Sequence, residues 1–223
     1  MNLSFSKNII VIMKKLASLS LILFCLVSIC AFGQANYGLK AFDEVNVSGN
    51  IELILEESTT EKLTYTTEGI SEDKLNIINK NGVLKLKISN GIYKKDQKAY
   101  VTLSYKTLRA VKAFAGAQVS GSNDILGDKL ELKAHSGGGI NLQLELNAIE
   151  VGTYEGGTIK LTGMVEAQKI TSNTGGSYNG RNLVSSRAYA KASLGGSVEY
   201  VGSPNELTRS TSLGGTVKRK GGS

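Results

Sequence analysis

This chain of 223 residues contains no tryptophan, one proline, one histidine and two cysteines. A single proline excludes collagen and proline-rich linkers. Both cysteines, Cys25 and Cys30, lie within residues 1–35. If that segment is cleaved, the rest of the chain has no disulfide, no thiolate metal site and no cysteine nucleophile. Hydrophobic residues make up 41% and charged residues 20%, which excludes a disordered tail and a polytopic membrane protein.

Residues 1–35 have the composition of a secretory signal peptide. A Met-Lys-Lys sequence begins at Met13, which is an alternative start, and an apolar run follows over residues 16–32. Small residues then offer cleavage after Gly33 or after Ala35. The sequence therefore predicts that the mature protein is exported to the periplasm or to the outer surface of the cell envelope.

Two alternatives to cleavage remain for this segment. An apolar run of about 17 residues is at the lower limit for a membrane anchor, but no Lys or Arg stop follows it. Cys30 is a candidate for lipid attachment, although Ile29 before it is bulkier than the small residue preferred there. Cleavage removes three of the 26 basic residues and leaves 19 acidic ones, a net charge of +4. That charge is too small to indicate a nucleic-acid partner.

A Gly-Gly pair followed by a small residue and an apolar residue recurs through the second half of the chain. The first glycines of five copies are separated by 19, 19, 20 and 19 residues, and a degenerate copy at Gly116 lies 21 residues earlier. We interpret the pair as a structural corner, where the backbone needs a positive φ or a close approach. The corner motif comprises Gly137, Gly138, Gly139, Ile140, Asn141, Gly156, Gly157, Gly175, Gly176, Gly195, Gly196, Gly214 and Gly215.

The residues around each pair alternate between apolar and polar, which is typical of a strand with one buried face. Copies of about 19 residues cannot bury an apolar face alone but can do so when stacked. The sequence predicts an all-β fold, a single-stranded right-handed parallel β-helix-like solenoid with coils of about 19–21 residues. Its predicted interior stack is Ile140, Ile159, Tyr178, Val198 and Val217, and small residues should line the neighbouring interior column, namely Ala134, Thr153, Ser172, Ala192 and Thr211.

One domain is predicted over residues 36–223, with regular repeats from residue 106 and irregular, hairpin-containing coils over residues 36–105. Strands are expected at 62–67, 75–78, 83–88 and 99–105, with a turn at Asn79–Gly82 and a polar loop at 92–97.

An opening Phe42-x-x-Val45-x-Val47-x-Gly49 and the tripeptide Gly139-Ile140-Asn141 within a glycine-rich repeat resemble the family of putative auto-transporter adhesins with a "head GIN" domain. The resemblance covers essentially the whole mature chain. It implies an exported all-β domain with β-helical character and an adhesive role. It carries no catalytic residues. Only one of the five Gly-Gly copies continues as Gly-Ile-Asn, which favours a structural corner over a recognition tripeptide.

Candidate chemistry is sparse. Glu131 and Glu150 lie one repeat apart in the same outward column, where stacking would give the carboxylate spacing of a retaining glycosidase. Lys169 continues that column, and a solvated ladder of surface charges is the favoured interpretation. His135 is the only imidazole, and the sequence places no acidic residue to orient it as a base. The repeats hold no Asp after Asp128, which argues against a calcium solenoid.

These observations predict an exported, non-enzymatic β-solenoid that presents an adhesive or binding surface in the cell envelope. No catalytic residue, metal or cofactor is assigned, and the partner is an envelope or surface ligand, either glycan or protein. A hydroxyl ladder of Thr158, Ser177, Ser197 and Thr216 is one outward row of that surface. The alternatives are a polysaccharide-active β-helix enzyme and an envelope assembly protein that self-associates through the solenoid ends.

Overall fold

The computed structural model describes residues 35–88 and 97–220. The signal-peptide prediction, with Cys25 and Cys30, and most of the predicted loop at 92–97 lie outside the described residues. Besides one 3-10 turn at Glu72–Lys74, the described residues form strands joined by short turns. The strands are β1 (Ala35–Gly38), β2 (Glu44–Ser48), β3 (Ile51–Glu57), β4 (Lys62–Glu68), β5 (Leu75–Lys80), β6 (Val83–Ile88), β7 (Lys98–Tyr105), β8 (Ala110–Phe114), β9 (Gln118–Gly121), β10 (Ile125–His135), β11 (Gly139–Tyr154), β12 (Thr158–Asn173), β13 (Ser177–Ser193), β14 (Ser197–Val201), β15 (Glu206–Ser212) and β16 (Thr216–Lys220).

Parallel pairing stacks most of these strands into a β-solenoid of about six turns, as the repeat predicted. We call the two sides of the solenoid wall one and wall two. Wall one contains β7, β3, β9, β14 and β16, and wall two contains β6, β2, β8, β10 and β15. Strands β11, β12 and β13 are 16 to 17 residues long and run through both walls, whereas the sequence predicted shorter strands.

The predicted interior stack is confirmed. Ile140 pairs with Ile159, Ile159 with Tyr178, Tyr178 with Val198 and Val198 with Val217. The first four are at most 2% exposed, and Val217 in the last coil is half-buried. The small interior column is buried in the four coils before the last, where Thr211 is exposed. Like residues therefore meet along one axis, and the core runs between the two walls.

A polar network lies within this core. The hydroxyl of Tyr178 donates to Oε1 of Gln168 at 2.8 Å, and Nε2 of Gln168 donates to Oγ of Ser185 at 2.6 Å. All three side chains are buried, and burial raises the pKa of Tyr178. The network gives each buried polar group a partner, which removes the cost of desolvating it unpaired.

The corner is a tight turn with two left-handed residues. At a representative corner, the N–H of Gly157 donates to the carbonyl oxygen of Tyr154 at 2.9 Å. Between them, Glu155 has φ 48° and Gly156 has φ 74°. The sequence predicted a positive φ or a close approach at the glycine pair, and the first glycine has the positive φ, which it shares with the residue before the pair. Gly157 has a different requirement: a Cβ there would overlap the carbonyl oxygen of Ala134 in the preceding coil.

The N-terminal coils do not stack in chain order. Strand β2 lies between β6 and β8, and β3 lies between β7 and β9. The coil that comes first in the sequence therefore lies between two coils that come later in the sequence. Strand β4 pairs antiparallel with β7, and β5 pairs antiparallel with β6. The predicted hairpin turn is present, with Asn81 at φ 54° and Gly82 at φ 76°. These antiparallel strands cover one end of the parallel stack.

The close approach at Gly157 generates a stability prediction. Gly157→Ala forces the backbone of two coils apart, so we expect it to lower the free energy of unfolding by about 1–3 kcal/mol, as overpacking does. Thr158→Ala, at the exposed next position, should change it by less than about 0.5 kcal/mol. Urea denaturation followed by circular dichroism measures both. Equal stability of the two variants would contradict the close-approach role of the second glycine.

Candidate functional site

Three aromatic side chains form a row on the outer surface of wall two. Phe114 pairs with His135, and His135 pairs with Tyr154, in three successive coils. The ring centroids are 6.3 Å and 6.0 Å apart, with interplanar angles of 44° and 36°. All three residues are half-buried. We call these three residues the aromatic row.

A glycine in the same strand shapes one end of the aromatic row. Gly152 occupies an outward position of β11, two residues before Tyr154. A Cβ at Gly152 would lie 2.7 Å from Cε2 and 3.0 Å from the hydroxyl oxygen of Tyr154. The ring of Tyr154 therefore packs along the wall, directly over the backbone of Gly152. Because Tyr154 is only half-buried, part of its side chain is accessible to solvent.

His135 has an acidic neighbour, contrary to the sequence prediction. Oγ of Ser136 donates to Oε2 of Glu155 at 3.0 Å and lies 2.7 Å from Nδ1 of His135. The same Nδ1 lies 3.4 Å from Oε2 of Glu155. The repeat brings Glu155 here because it stands 19 residues after Ser136, at the same point of the next corner.

This cluster does not have the arrangement of a catalytic triad. In a triad, the base contacts the nucleophile through one ring nitrogen and the orienting acid through the other. Here both the hydroxyl of Ser136 and the carboxylate of Glu155 contact Nδ1 of His135. The contacts fix the ring orientation at the edge of the aromatic row. They do not place the imidazole of His135 between the hydroxyl of Ser136 and the carboxylate of Glu155, as proton transfer in a triad requires.

The structure brings Glu131 and Glu150 together in register, as the sequence predicted. Each carboxylate is nevertheless engaged by lysine. Lys133 contacts Glu131, and Nζ of Lys169 donates to Oε1 of Glu150 at 2.9 Å. The hydrogen bond from Lys169 holds the pKa of Glu150 below its ordinary value. A glycosidase needs a general acid with a raised pKa, and Glu150 is shifted in the opposite direction.

The corner motif separates into interior and surface positions. At the Gly-Ile-Asn copy, Ile140 is buried and Asn141 is exposed on wall one. A Cβ on Gly139 would run into the side-chain amide of Gln118 in the preceding coil. The other glycine pairs occupy the equivalent turns along the same edge of the solenoid, with positive φ at the first glycine of each pair.

The predicted hydroxyl ladder faces outward on wall one. Its four residues pair coil to coil. Oγ1 of Thr216 donates to Oγ of Ser197 at 3.4 Å. Thr158 and Thr216 are exposed, while Ser177 and Ser197 are half-buried. The ladder is thus a flat, hydroxyl-bearing strip without aromatic side chains among its four members.

An apolar stripe borders a shallow cavity where the two walls meet away from the glycine corners. Leu126, Met164 and Val184 are 58%, 61% and 52% exposed. They share one outward column, with Glu145 between Leu126 and Met164. The cavity beside the stripe has a volume of about 510 Å³. Neither feature contains a residue of the aromatic row.

Within residues 35–88 and 97–220, no cluster of three or more His, Cys, Asp or Glu side chains is arranged to hold a metal ion. In the same described residues, no helix has the length and apolar character needed to span a bilayer.

Phe114, Gly152 and Glu155 were not predicted from the sequence as site residues. Phe114, His135 and Tyr154 are separated by 21 and 19 residues, which are the spacings of the corner repeat. Their common column was therefore available from the sequence. The position of the Tyr154 ring over Gly152 was not, because it depends on a side-chain rotamer.

Stacked parallel coils, glycine corners and outward side-chain rows define an all-β solenoid. The chain belongs to the family described as "Putative auto-transporter adhesin, head GIN domain", whose model matches residues 41–223. This match agrees with the resemblance found in the sequence.

Solved structures support the same fold. A putative adhesin from Bacteroides fragilis is similar over 84% of this chain and 96% of its own, with a TM-score of 0.70 and 20% identity. A putative adhesin from Parabacteroides merdae has a TM-score of 0.57 and 20% identity over 84% and 95% of the two chains. A putative lipid binding protein from Parabacteroides distasonis has a TM-score of 0.56 and 15% identity over 84% and 96%. No curated protein matches the chain in sequence.

The ion pair at Glu150 generates a pH prediction. Because the pKa of Glu150 is lowered in the folded state, its contribution to stability is present at neutral pH and is lost as the pH falls through that lowered value. We expect an NMR titration to give Glu150 a pKa below 4.5, and Lys169→Met to raise it. Lys160→Met, on wall one, is the control. A pKa above 4.5 in the unsubstituted protein would contradict the ion pair and favour the glycosidase hypothesis.

Proposed function

We propose that the protein is an exported, non-enzymatic β-solenoid that presents an adhesive surface in the cell envelope, and that the aromatic row forms the centre of that surface. The observation that carries the proposal is the alignment of the half-buried side chains of Phe114, His135 and Tyr154 across three coils on the outer surface of wall two. Aromatic side chains dominate binding energetics at protein surfaces because they offer large, rigid contact areas. The family description and the neighbours named as adhesins support this role.

The scaffold suits adhesion because the row is built on paired strands. Its three members lie in β8, β10 and β11, each paired to the next along the wall. Binding to a preformed surface avoids the entropic cost of ordering loops. Self-association through the solenoid ends stays a prediction from the sequence.

Adhesion should depend on the aromatic row. We expect Phe114→Ala/Tyr154→Ala to reduce binding of the purified protein to intact bacterial or host cells by about tenfold or more, since aromatic hot spots contribute about 2 kcal/mol or more each. Flow cytometry with labelled protein measures the change. Asn141→Ala/Lys160→Ala, two exposed positions on wall one, is the matched control. If both double variants fold and bind equally, the aromatic row is not the adhesive surface.

Export should leave a defined N-terminus. We expect the intact mass of protein recovered from the envelope fraction of expressing bacteria to begin at Gln34 or Asn36, because cleavage is predicted after Gly33 or Ala35. A lipid-modified chain beginning at Cys30 would favour the lipoprotein alternative. An uncleaved chain in the soluble cell interior would contradict export.

A further inference from the structure

We propose that the aromatic row of wall two binds a neutral glycan chain that lies along the solenoid axis, with sugar rings packed on Tyr154 and its neighbours. This inference rests on the proposed function and names the ligand class of the same surface. It follows from three features: the spacing of the rings, the exposed side of Tyr154, and the polar groups around them.

The spacing of the rings indicates a ligand with repeated apolar faces. The rings recur once per coil, at 6.3 Å and 6.0 Å, and lie in a line parallel to the stacking direction. A pyranose chain offers one C–H face after another. Such a face buries apolar area against an aromatic ring, and its polarised C–H groups are attracted by the negative face of the ring.

Gly152 makes Tyr154 suitable for this contact. In the middle of a strand, glycine weakens the structure and usually marks a close approach. Here it lets the Tyr154 side chain lie along the wall, with Cε2 and the hydroxyl directly over the glycine backbone. The inner side of the ring is supported, and its outer side can receive a flat ligand.

Polar groups flank the rings on both sides. At the corner, the Ser136 hydroxyl and the Glu155 carboxylate lie beside the His135 ring. On the opposite side, Lys133 and Thr171 share the outward column of Gly152. These donors and acceptors can bond the hydroxyl groups at the rim of a sugar ring, and bonds to charged partners are the stronger ones.

The charge balance favours a neutral ligand. The nearby lysines each form an ion pair with a different glutamate of the same wall: Lys112 with Glu44, Lys133 with Glu131 and Lys169 with Glu150. A polyanion would find no excess of positive charge here. A protein partner would have to desolvate these ion pairs beside an apolar centre, which is costly. A glycan can leave these ion pairs hydrated while its hydroxyl groups form hydrogen bonds with their charged side chains.

The first test is direct binding of the purified protein to linear hexasaccharides, measured by isothermal titration calorimetry. The neutral probes are cellohexaose, xylohexaose, mannohexaose and β-1,3-glucohexaose, and the acidic probe is hexagalacturonate. We expect at least one neutral probe to bind and the affinity to change little between 50 mM and 500 mM NaCl. Failure of all four neutral probes, or binding of the acidic probe alone, would overturn the proposal.

Two variants locate the site. Tyr154→Ala should weaken binding of the neutral probe by about tenfold, the equivalent of one good ring contact. Gly152→Val leaves the tyrosine in place but requires its ring to move, so it should weaken binding to a similar extent. Lys160→Val, at an exposed strand position on wall one, is the matched control and should bind like the unsubstituted protein. Unchanged binding in both Tyr154→Ala and Gly152→Val, with folding verified by circular dichroism, would overturn the proposal.

The experiments can contradict the glycan assignment and the adhesive role independently of each other. If the neutral probe binds through Tyr154 but cell binding is unaffected by Tyr154→Ala, the adhesive role is contradicted and the glycan site stands. If cell binding depends on Tyr154 but no neutral probe binds or competes with the cells, the glycan assignment is overturned and the adhesive role stands.

Discussion

The fold depends on the close approach of successive coils at the glycine corner. The second glycine of each pair is set against the carbonyl group of the preceding coil, where a side chain would overlap it, as at Gly157 and Ala134. The next residue then bonds to the coil before it, as the N–H of Thr158 does to the carbonyl oxygen of Gly138 at 2.9 Å. Together these contacts fix the register of the coils. A shift by one residue would move every side chain to the opposite face.

This register determines the surface as well as the core. The pairing that places Ile140 on Ile159 inside also places His135 beside Tyr154 outside. The aromatic row therefore does not depend on a loop that must close around a ligand. Backbone hydrogen bonding between coils sets the distance from one ring to the next. The orientation of each ring depends on the individual side chain, such as that of Tyr154, which lies over Gly152.

The regular half of the fold was predictable because its period appears directly in the sequence, and like residues such as Ile140 and Ile159 must meet when equal repeats stack. The stacking order of β2 and β3 between later strands was not predictable, because those strands carry no exact repeat and their neighbours are distant in sequence. The contact between His135 and Glu155 was missed for a different reason. Glu155 lies in the corner of its own coil, directly before Gly156, and its carboxylate reaches His135 of the previous coil through a side-chain orientation that the repeat does not specify.

The Gly-Ile-Asn tripeptide shows why the corner and the binding surface are separate features. Its glycine fits against Gln118, its isoleucine is in the core, and only Asn141 reaches solvent. Two of its three residues are therefore buried within the stack and are unavailable to a ligand. At other corners, Thr158 and Ser177 occupy the position of Gly139, so the solenoid tolerates changes there while keeping its register. Outward columns such as the aromatic row can vary with less constraint, and recognition is expected in those columns rather than in the motif that builds the coil.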